Sequence, residues 1–383
     1  MNELFLYNPE NDIALACNPR NRFTPPRQAA LLARYGAPLM WWMGDEADYV
    51  LVPQPSCSGE ENAMTQWLGC VEKLRGDAGP QLITTCADAD IAQASPWGWS
   101  RHTVCCLRDA GVPDAAMSHM EANIDAVRDL SHRRSASIIN AALSAALSPE
   151  WGDSLIAEPA AELFSVDTVK EYIGENGLSM YLKSPWSSSG RGVVCGSDMT
   201  ADQFAGRCEA VIRKQGSVLV ERAHDKILDF AMLFKADNGG VVRSYGLSRF
   251  FNERGTGYTG NLILSDSRIA AELSGYVPAK LLEDVSGSLC RALTSLLDSR
   301  YCGYMGVDMM VVRRGDGFAL VPCVELNLRM TMGVVAHRIH ALTGMEGTMR
   351  VCPGKKTTAT REALPLVPEN PYFNIEFVIQ EQR

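Results

Sequence analysis

The sequence predicts an α/β protein that turns into α+β toward its C-terminal end. Three observations carry this. Residues 4–16 read as strand, polar turn and helix, and capped helices alternate with short apolar strands up to about residue 220. Beyond that point the turns Asp237-Asn238-Gly239-Gly240 and Arg314-Gly315-Asp316-Gly317 separate runs of strand-forming residues, as antiparallel hairpins require. With 383 residues, 46% of them hydrophobic and 21% charged, the chain can bury a large core and has the composition of a folded protein.

Leu4 to Tyr7 is an apolar and aromatic run suited to a strand, and Asn8-Pro9-Glu10-Asn11-Asp12 is a polar turn leading into a helix through Ala16. The turn would sit at the carboxyl end of the first strand, where open α/β sheets gather ligands; a turn that only caps a helix is the commoner local reading. Pro25 and Pro26 precede a second helix that Gly36 ends, and Pro38 to Met43 and Tyr49 to Val52 read as strands. Residues 1–100 are thus expected to form an open α/β domain. A central unit, 101–217, opens with a helix capped by Ser100 and closed by Gly111 and Pro113. Two helices follow between Ile124 and Leu147, then a capped helix from Ser165 to Gly174 and a strand from Met180 to Lys183. The basic patch His132-Arg133-Arg134 reads as a solvated face. The C-terminal unit, 218–383, carries strands at Val218 to Val220, Asp229 to Phe234, Val241 to Leu247, Tyr304 to Val312 and Ala319 to Leu326, with a helix from Pro278 to Leu297.

Asp and Glu outnumber Lys and Arg, 45 to 36, and the net charge of −9 disfavours nucleic acid as a partner. No run of about eighteen apolar residues and no basic-then-apolar leader is present, so the expectation is a cytoplasmic protein without a membrane partner. Twelve cysteines are scattered with no C-x-x-C spacing and are expected to be reduced. Of the six histidines only His337 and His340 lie one helical turn apart, where a structural role outweighs metal ligation.

Three constellations carry chemistry. In Lys183-Ser184-Pro185-Trp186-Ser187-Ser188-Ser189-Gly190-Arg191-Gly192 a lysine ends a strand and a loop of small residues follows, which can close over phosphates while the ammonium supplies a point charge. A flexible Ser/Gly hairpin turn is an equal reading of that loop. Val218-Leu219-Val220-Glu221 is a strand ending in an acid: main-chain groups near Glu221 and Arg222 could bond an adenine edge, and Asp229 could take ribose hydroxyls. The third is Gly306-Val307-Asp308 on one strand of a hairpin and Glu325-Leu326-Asn327-Leu328-Arg329 on the other. Glu325, Asn327 and Arg329 alternate onto one face. Two acids and an amide oxygen among apolar residues are costly to bury unless they hold a cation, and hard oxygen donors suit magnesium; a Glu325–Arg329 salt bridge is the bland alternative.

In this order, a lysine with its Ser/Gly loop, then V-L-V-E with a downstream acid, then G-V-D and E-L-N-L-R, the motifs resemble the ATP-grasp superfamily, in particular its carboxylate-amine ligases. The resemblance covers residues 97–335. Trp97-Gly98-Trp99-Ser100-Arg101, followed by Ala110-Gly111-Val112-Pro113, is similar to the family's first phosphate-binding segment, with Arg101 where a lysine is usual. The resemblance implies an N-terminal α/β layer and two subdomains that enclose ATP. It implies that Arg101, Lys183 and Ser187, Ser188, Ser189 and Gly190 of a mobile lid bind phosphates, that Glu221 and Arg222 form the adenine hinge, and that Asp229 binds ribose. Asp308, Glu325 and Asn327 would hold one or two Mg2+ ions, or Mn2+, and Arg329 and Lys183 would be catalytic. The implied reaction activates a carboxylate as an acylphosphate and joins it to an amine or similar nucleophile, with release of ADP and phosphate. Its substrates would be small molecules or peptides and the enzyme a monomer or homodimer; a kinase on the same scaffold and a non-catalytic ATP-binding regulator are the alternatives. Gly306 stands where related D-alanine ligases have an arginine, and the segment 114–164 is longer than the core pattern requires.

Overall fold

At the N-terminus a parallel sheet has the strand order Gln81–Ile83, Tyr49–Leu51, Glu3–Leu6, Gln93–Pro96. Leu4, Phe5 and Val50 are fully buried in it, as strands covered on both faces require. Residues 2–21, 23–187, 192–253, 257–354 and 363–379 are described by this computed structural model. The helix Arg27–Gly36 follows Pro26 as expected. Pro38 to Met43, expected as a strand, is instead a 3₁₀ helix, Ala37–Trp42. Leu39, Met40, Trp41 and Trp42 are all completely buried, and a run apolar on every side carries no period that would distinguish helix from strand.

A second, smaller sheet has the order Ala161–Leu163, Val218–Arg222, Met180–Lys183, Val193–Cys195. Its strands have two faces. Met180, Leu182, Val218 and Val220 point into a core shared with Val169, Ile173, Phe204 and Cys208 of two helices, Val166–Asn176 and Ala201–Gln215. Both helices are well begun: the Ser165 side chain accepts from Thr168 N–H, and Thr200 and Gln203 form a reciprocal capping box. The opposite face carries Tyr181, Lys183, Leu219 and Glu221, aligned by the antiparallel register Tyr181↔Glu221 and Lys183↔Leu219. Because Val218–Arg222 pairs here, this unit runs from Ala161 to Arg222, past the expected boundary at 217.

The third sheet has eight strands. Gly317–Asn327 forms one edge, next to Gly303–Arg314, Lys226–Ala236 and Val242–Glu253 in turn. The hairpins signalled at Asp237 to Gly240 and Arg314 to Gly317 connect adjacent strands of it. Helix Ala279–Leu297 lies on one face through Leu281, Val285, Leu289, Leu293 and Leu297, a stripe at four-residue spacing with no exposed surface. Burying each such side chain contributes about 1.5–3 kcal/mol. Helix Arg134–Trp151 packs between this helix and the edge strand, so the segment after residue 101 belongs with the large sheet rather than with the small one. Where the edge strand ends, Met330 N–H donates to the Trp97 carbonyl at 2.7 Å and ties the large sheet to the N-terminal layer. The twelve cysteines are free thiols, and no described helix is long and apolar enough to cross a membrane.

Candidate functional site

The polar face of the small sheet looks across a cleft of about 240 Å³ at the edge of the large sheet. Lys183, Leu219, Glu221 and Arg222 line one wall, and Met310, Val321 and Cys323 the other. Lys183 is 7% exposed and its ammonium is ion-paired with Glu221, two residues from its register partner on the same face. The apolar opposite wall comes from a bulge: Asp308 faces Glu325, but Met310 faces Val321, so Pro322, Cys323 and Val324 stand against Met309 alone and the edge strand carries two extra residues. Pro322 is tolerated there because an edge strand need not donate outward. Asn140, on the helix behind, donates to the Cys323 carbonyl at 2.9 Å and fixes the bulge.

At one end of this wall the acids meet. Asp308 lies directly opposite Glu325, and Gly306 opposite Asn327, so Asp308, Glu325 and Asn327 project from one face. Burial, then the neighbouring Glu325 charge, pushes the Asp308 carboxyl up to about 7. Asn327 hydrogen-bonds the Asp308 carboxylate, and its own oxygen accepts from Arg329 Nη2 at 2.9 Å. Among the described residues no three His, Cys, Asp or Glu side chains cluster as a metal site; the set here is two carboxylates and an amide. As hard oxygen donors that repel one another at close range, they fit a cation such as magnesium held jointly with phosphate oxygens.

Arg329 does not pair with Glu325. Its Nε donates to Asp12 at 2.9 Å, which brings the N-terminal helix Asn11–Cys17 against the large sheet. Burial raises the Asp12 pKa and the arginine partly offsets this; on Arg329 the pull of Asp12 and Glu325 outweighs burial and keeps its pKa above the usual value. Asp12, Ser187, Glu325, Asn327 and Arg329 line a second, narrow recess. The turn before Asp12 is consumed in structure. Asn8 donates to the Gly98 carbonyl at 2.9 Å, and Asn11, with its amide turned to donate, reaches Gly98 and Trp99 carbonyls at 3.1 and 3.2 Å. A Cβ on Gly98 would come within 2.4 Å of the Asn11 amide, so glycine is required for this approach.

The patch at residues 132–134 is not a solvated face. His132 and Arg133 are 3% and 6% exposed, and Arg133 Nη2 donates to both Glu325 oxygens, at 3.1 and 3.0 Å. The pair expected within one strand thus forms across the fold. The same segment clasps the phosphate loop: Arg133 N–H donates to the Pro185 carbonyl, Trp186 Nε1 donates to Arg128 O at 3.0 Å, and the Arg128 guanidinium stacks 3.8 Å from the Trp186 ring. Within the cleft, Arg133 Nε and Nη1 and Asn140 Oδ1 are buried and have no hydrogen-bond partner among the described residues. Nothing local in the sequence marks them, since arginines between helices are usually solvated.

Of the other expected residues, Arg101 is bound bidentately by Asp125 at 2.6 and 2.8 Å. Asp229 sits on the sheet face beside Asp308, paired with Lys226 at 2.6 Å, rather than among the residues lining the cleft. Ser187 Oγ is buried and without a partner among the described residues, whereas Ser188, Ser189, Gly190 and Arg191 of the expected lid lie outside them.

No protein-family model matches the chain, and no curated protein matches it. Solved structures do. N5-carboxyaminoimidazole synthetase from Staphylococcus aureus is similar over 99% of this chain and 94% of that one, at 10% identity and a TM-score of 0.50. N5-carboxyaminoimidazole ribonucleotide synthetase from Thermus thermophilus follows over 98% and 93%, at 13% identity and a TM-score of 0.49. Biotin carboxylase from Campylobacter jejuni, in complex with β-γ-ATP, follows over 99% and 88%, at 12% identity and 0.48. The likeness to the first is one of fold, and the ATP-grasp fold anticipated from the order of the motifs is the fold observed.

Proposed function

We propose that the protein is an ATP-dependent ligase that activates a carboxylate as an acylphosphate and joins it to an amine or similar nucleophile. The observation that carries this reading is convergence: Lys183 and Glu221 from the small sheet and Glu325 and Asn327 from the large sheet, with Asp308 directly opposite Glu325, border adjoining spaces that Arg329 and Asp12 close from the third side. Adenine would lie on the apolar wall, bonded by main chain near Glu221 and Arg222, and Lys183 would turn from Glu221 to the phosphates. Arg101 and the residues Ser187 to Gly190 would add phosphate contacts, and Asp229 would bind ribose hydroxyls.

Asp308, Glu325 and Asn327 are the residues that would hold magnesium, which when bound offsets charge on the transferring phosphoryl group. The carboxylate oxygen attacks the γ-phosphorus and the bond to ADP breaks. The amine then attacks the acyl carbon, the C–N bond forms, the carbon–oxygen bond breaks with its oxygen and electron pair leaving on phosphate, and the proton lost by the amine passes to phosphate or solvent. Arg329 neutralises an oxygen of the carboxylate or of the intermediate, and the cleft positions the reactants. No side-chain nucleophile is needed. The test is a panel of amino acids, short peptides and polyamines: ADP and phosphate appear together and only with both an acid and an amine. ADP without phosphate identifies a kinase, and ATP binding without turnover for any mixture identifies a regulator.

A further inference from the structure

Arg133 combines three properties that a stabilising ion pair does not require. Its side chain is 5% exposed, yet only Nη2 is used, on Glu325, while Nε and Nη1 have no partner among the described residues. It lines the 240 Å³ cleft together with Lys183. It is also the N-cap residue of the eighteen-residue helix Arg134–Trp151, whose first N–H groups are taken by His132 and by Arg133 O, so only the positive end of the helix dipole is added at this place. A buried guanidinium with idle donors costs free energy unless an anion completes it, and the positive end of a helix dipole favours an anion beside it.

We propose that Arg133 is a phosphate-binding residue of the nucleotide cleft that exchanges partners. In the free protein its guanidinium neutralises Glu325. When nucleotide enters, Arg133 turns its idle donors to a phosphate oxygen and releases Glu325 to the cation that accompanies the nucleotide. The exchange keeps Glu325 compensated throughout: it faces the guanidinium before and the metal ion after, and the two cations never crowd it together. It also lets the free protein fold around Glu325 and Asp308 without metal, since Glu325 is not left as a buried, uncompensated charge. Lysine could serve neither end as well, being a point donor rather than a fork. This inference rests on the ATP reading of the cleft, and the experiment separates the two.

Calorimetric titration with MgATP, and titration of the nucleotide-free protein with Mn2+ alone followed by the free-ion electron paramagnetic resonance signal, are compared for wild type, Arg133→Met and Arg133→Lys. Arg133→Met should weaken MgATP binding by about 10–100-fold, the worth of a charge-assisted hydrogen bond. The same change should tighten Mn2+ binding by about tenfold or more, because Glu325 no longer has a competing cation. A purely structural arginine would not move the two readings in opposite directions. Should Arg133→Met fail to fold, Arg133→Lys decides, with weakened MgATP binding expected. Wild type that binds no MgATP overturns the ATP reading, and this inference with it. Wild type that binds MgATP while the folded variant binds it equally well overturns the role of Arg133 alone.

Discussion

The two walls of the cleft are built on different foundations. The wall with Lys183 and Glu221 belongs to a small unit with its own core, and its polar ties to the body at Arg133–Pro185, Arg128–Trp186 and His132–Glu162 run through one segment, 128–133. The wall with Asp308 and Glu325 lies on the edge strand and its neighbour in an eight-stranded sheet backed by a fully buried leucine stripe. A site that must admit a large polyanion and then order it needs one wall that can yield. Two acids beside each other need one that cannot, because any slack would let them separate or fill with water.

The comparison predicts that damage to the rigid wall shows in chemistry and damage to the clasp shows in motion. Glu325→Gln should lower kcat by about 10²–10³-fold, the scale of losing one transition-state charge contact. The Arg133 charge left unpaired should cost about 3–5 kcal/mol of stability, and circular dichroism checks that the variant remains folded. Retained activity would remove the acid from the mechanism, and collapse of the fold would make the Arg133–Glu325 pair structural. Trp186→Ala deletes a stacked guanidinium contact and a hydrogen bond at the clasp, worth about 1–3 kcal/mol together. Hydrogen exchange should then rise in 161–187 and 192–222 while the leucine-stripe helix keeps its protection; equal loosening of both would deny that the small unit is a separable body.

The smallest effect concerns pH. Burial, then Arg134, holds His132 well below the usual histidine range, against the pull of Glu162 and Asp129. A base whose folded pKa is depressed binds fewer protons folded than unfolded, so its contribution is complete above about 6.5 and is lost as pH falls below that value. Buried Asp308, raised to about 7, contributes the opposite slope, so the His132 share is read by difference: the melting temperature of His132→Gln relative to wild type should rise as pH falls below 6.5. An unchanged difference would place the acid sensitivity elsewhere.

Much of the rigid wall was legible in the sequence. Strand alternation put Glu325 and Asn327 on one face, the hairpin turn placed Asp308 opposite, and Ser100 and Ser165 cap the helices expected of them. Lys183 was legible because a strand of four residues ends on it. The clasp was not. Arg133 and Glu325 are separated by 192 residues, and neither periodicity nor capping registers a contact at that distance. Asn8 and Asn11 looked like free ligands because a polar turn and a buried polar tether have the same composition; only the approach of Gly98 distinguishes them. Helix Ser58–Arg75 passed unassigned for a related reason, since it is mostly solvated and buries little beyond Trp67 and Val71.

The central claim is that the cleft takes ATP together with a cation held by Asp308, Glu325 and Asn327, and thermal unfolding with saturating ATP tests it most directly. At about 100-fold excess over Kd, binding stabilises the folded state by about 2.7 kcal/mol, a rise of roughly 3 °C for a chain of this size. The account predicts that rise with magnesium present and little or none in EDTA, because without a cation the two carboxylates repel the phosphates. An equal rise in EDTA would contradict it.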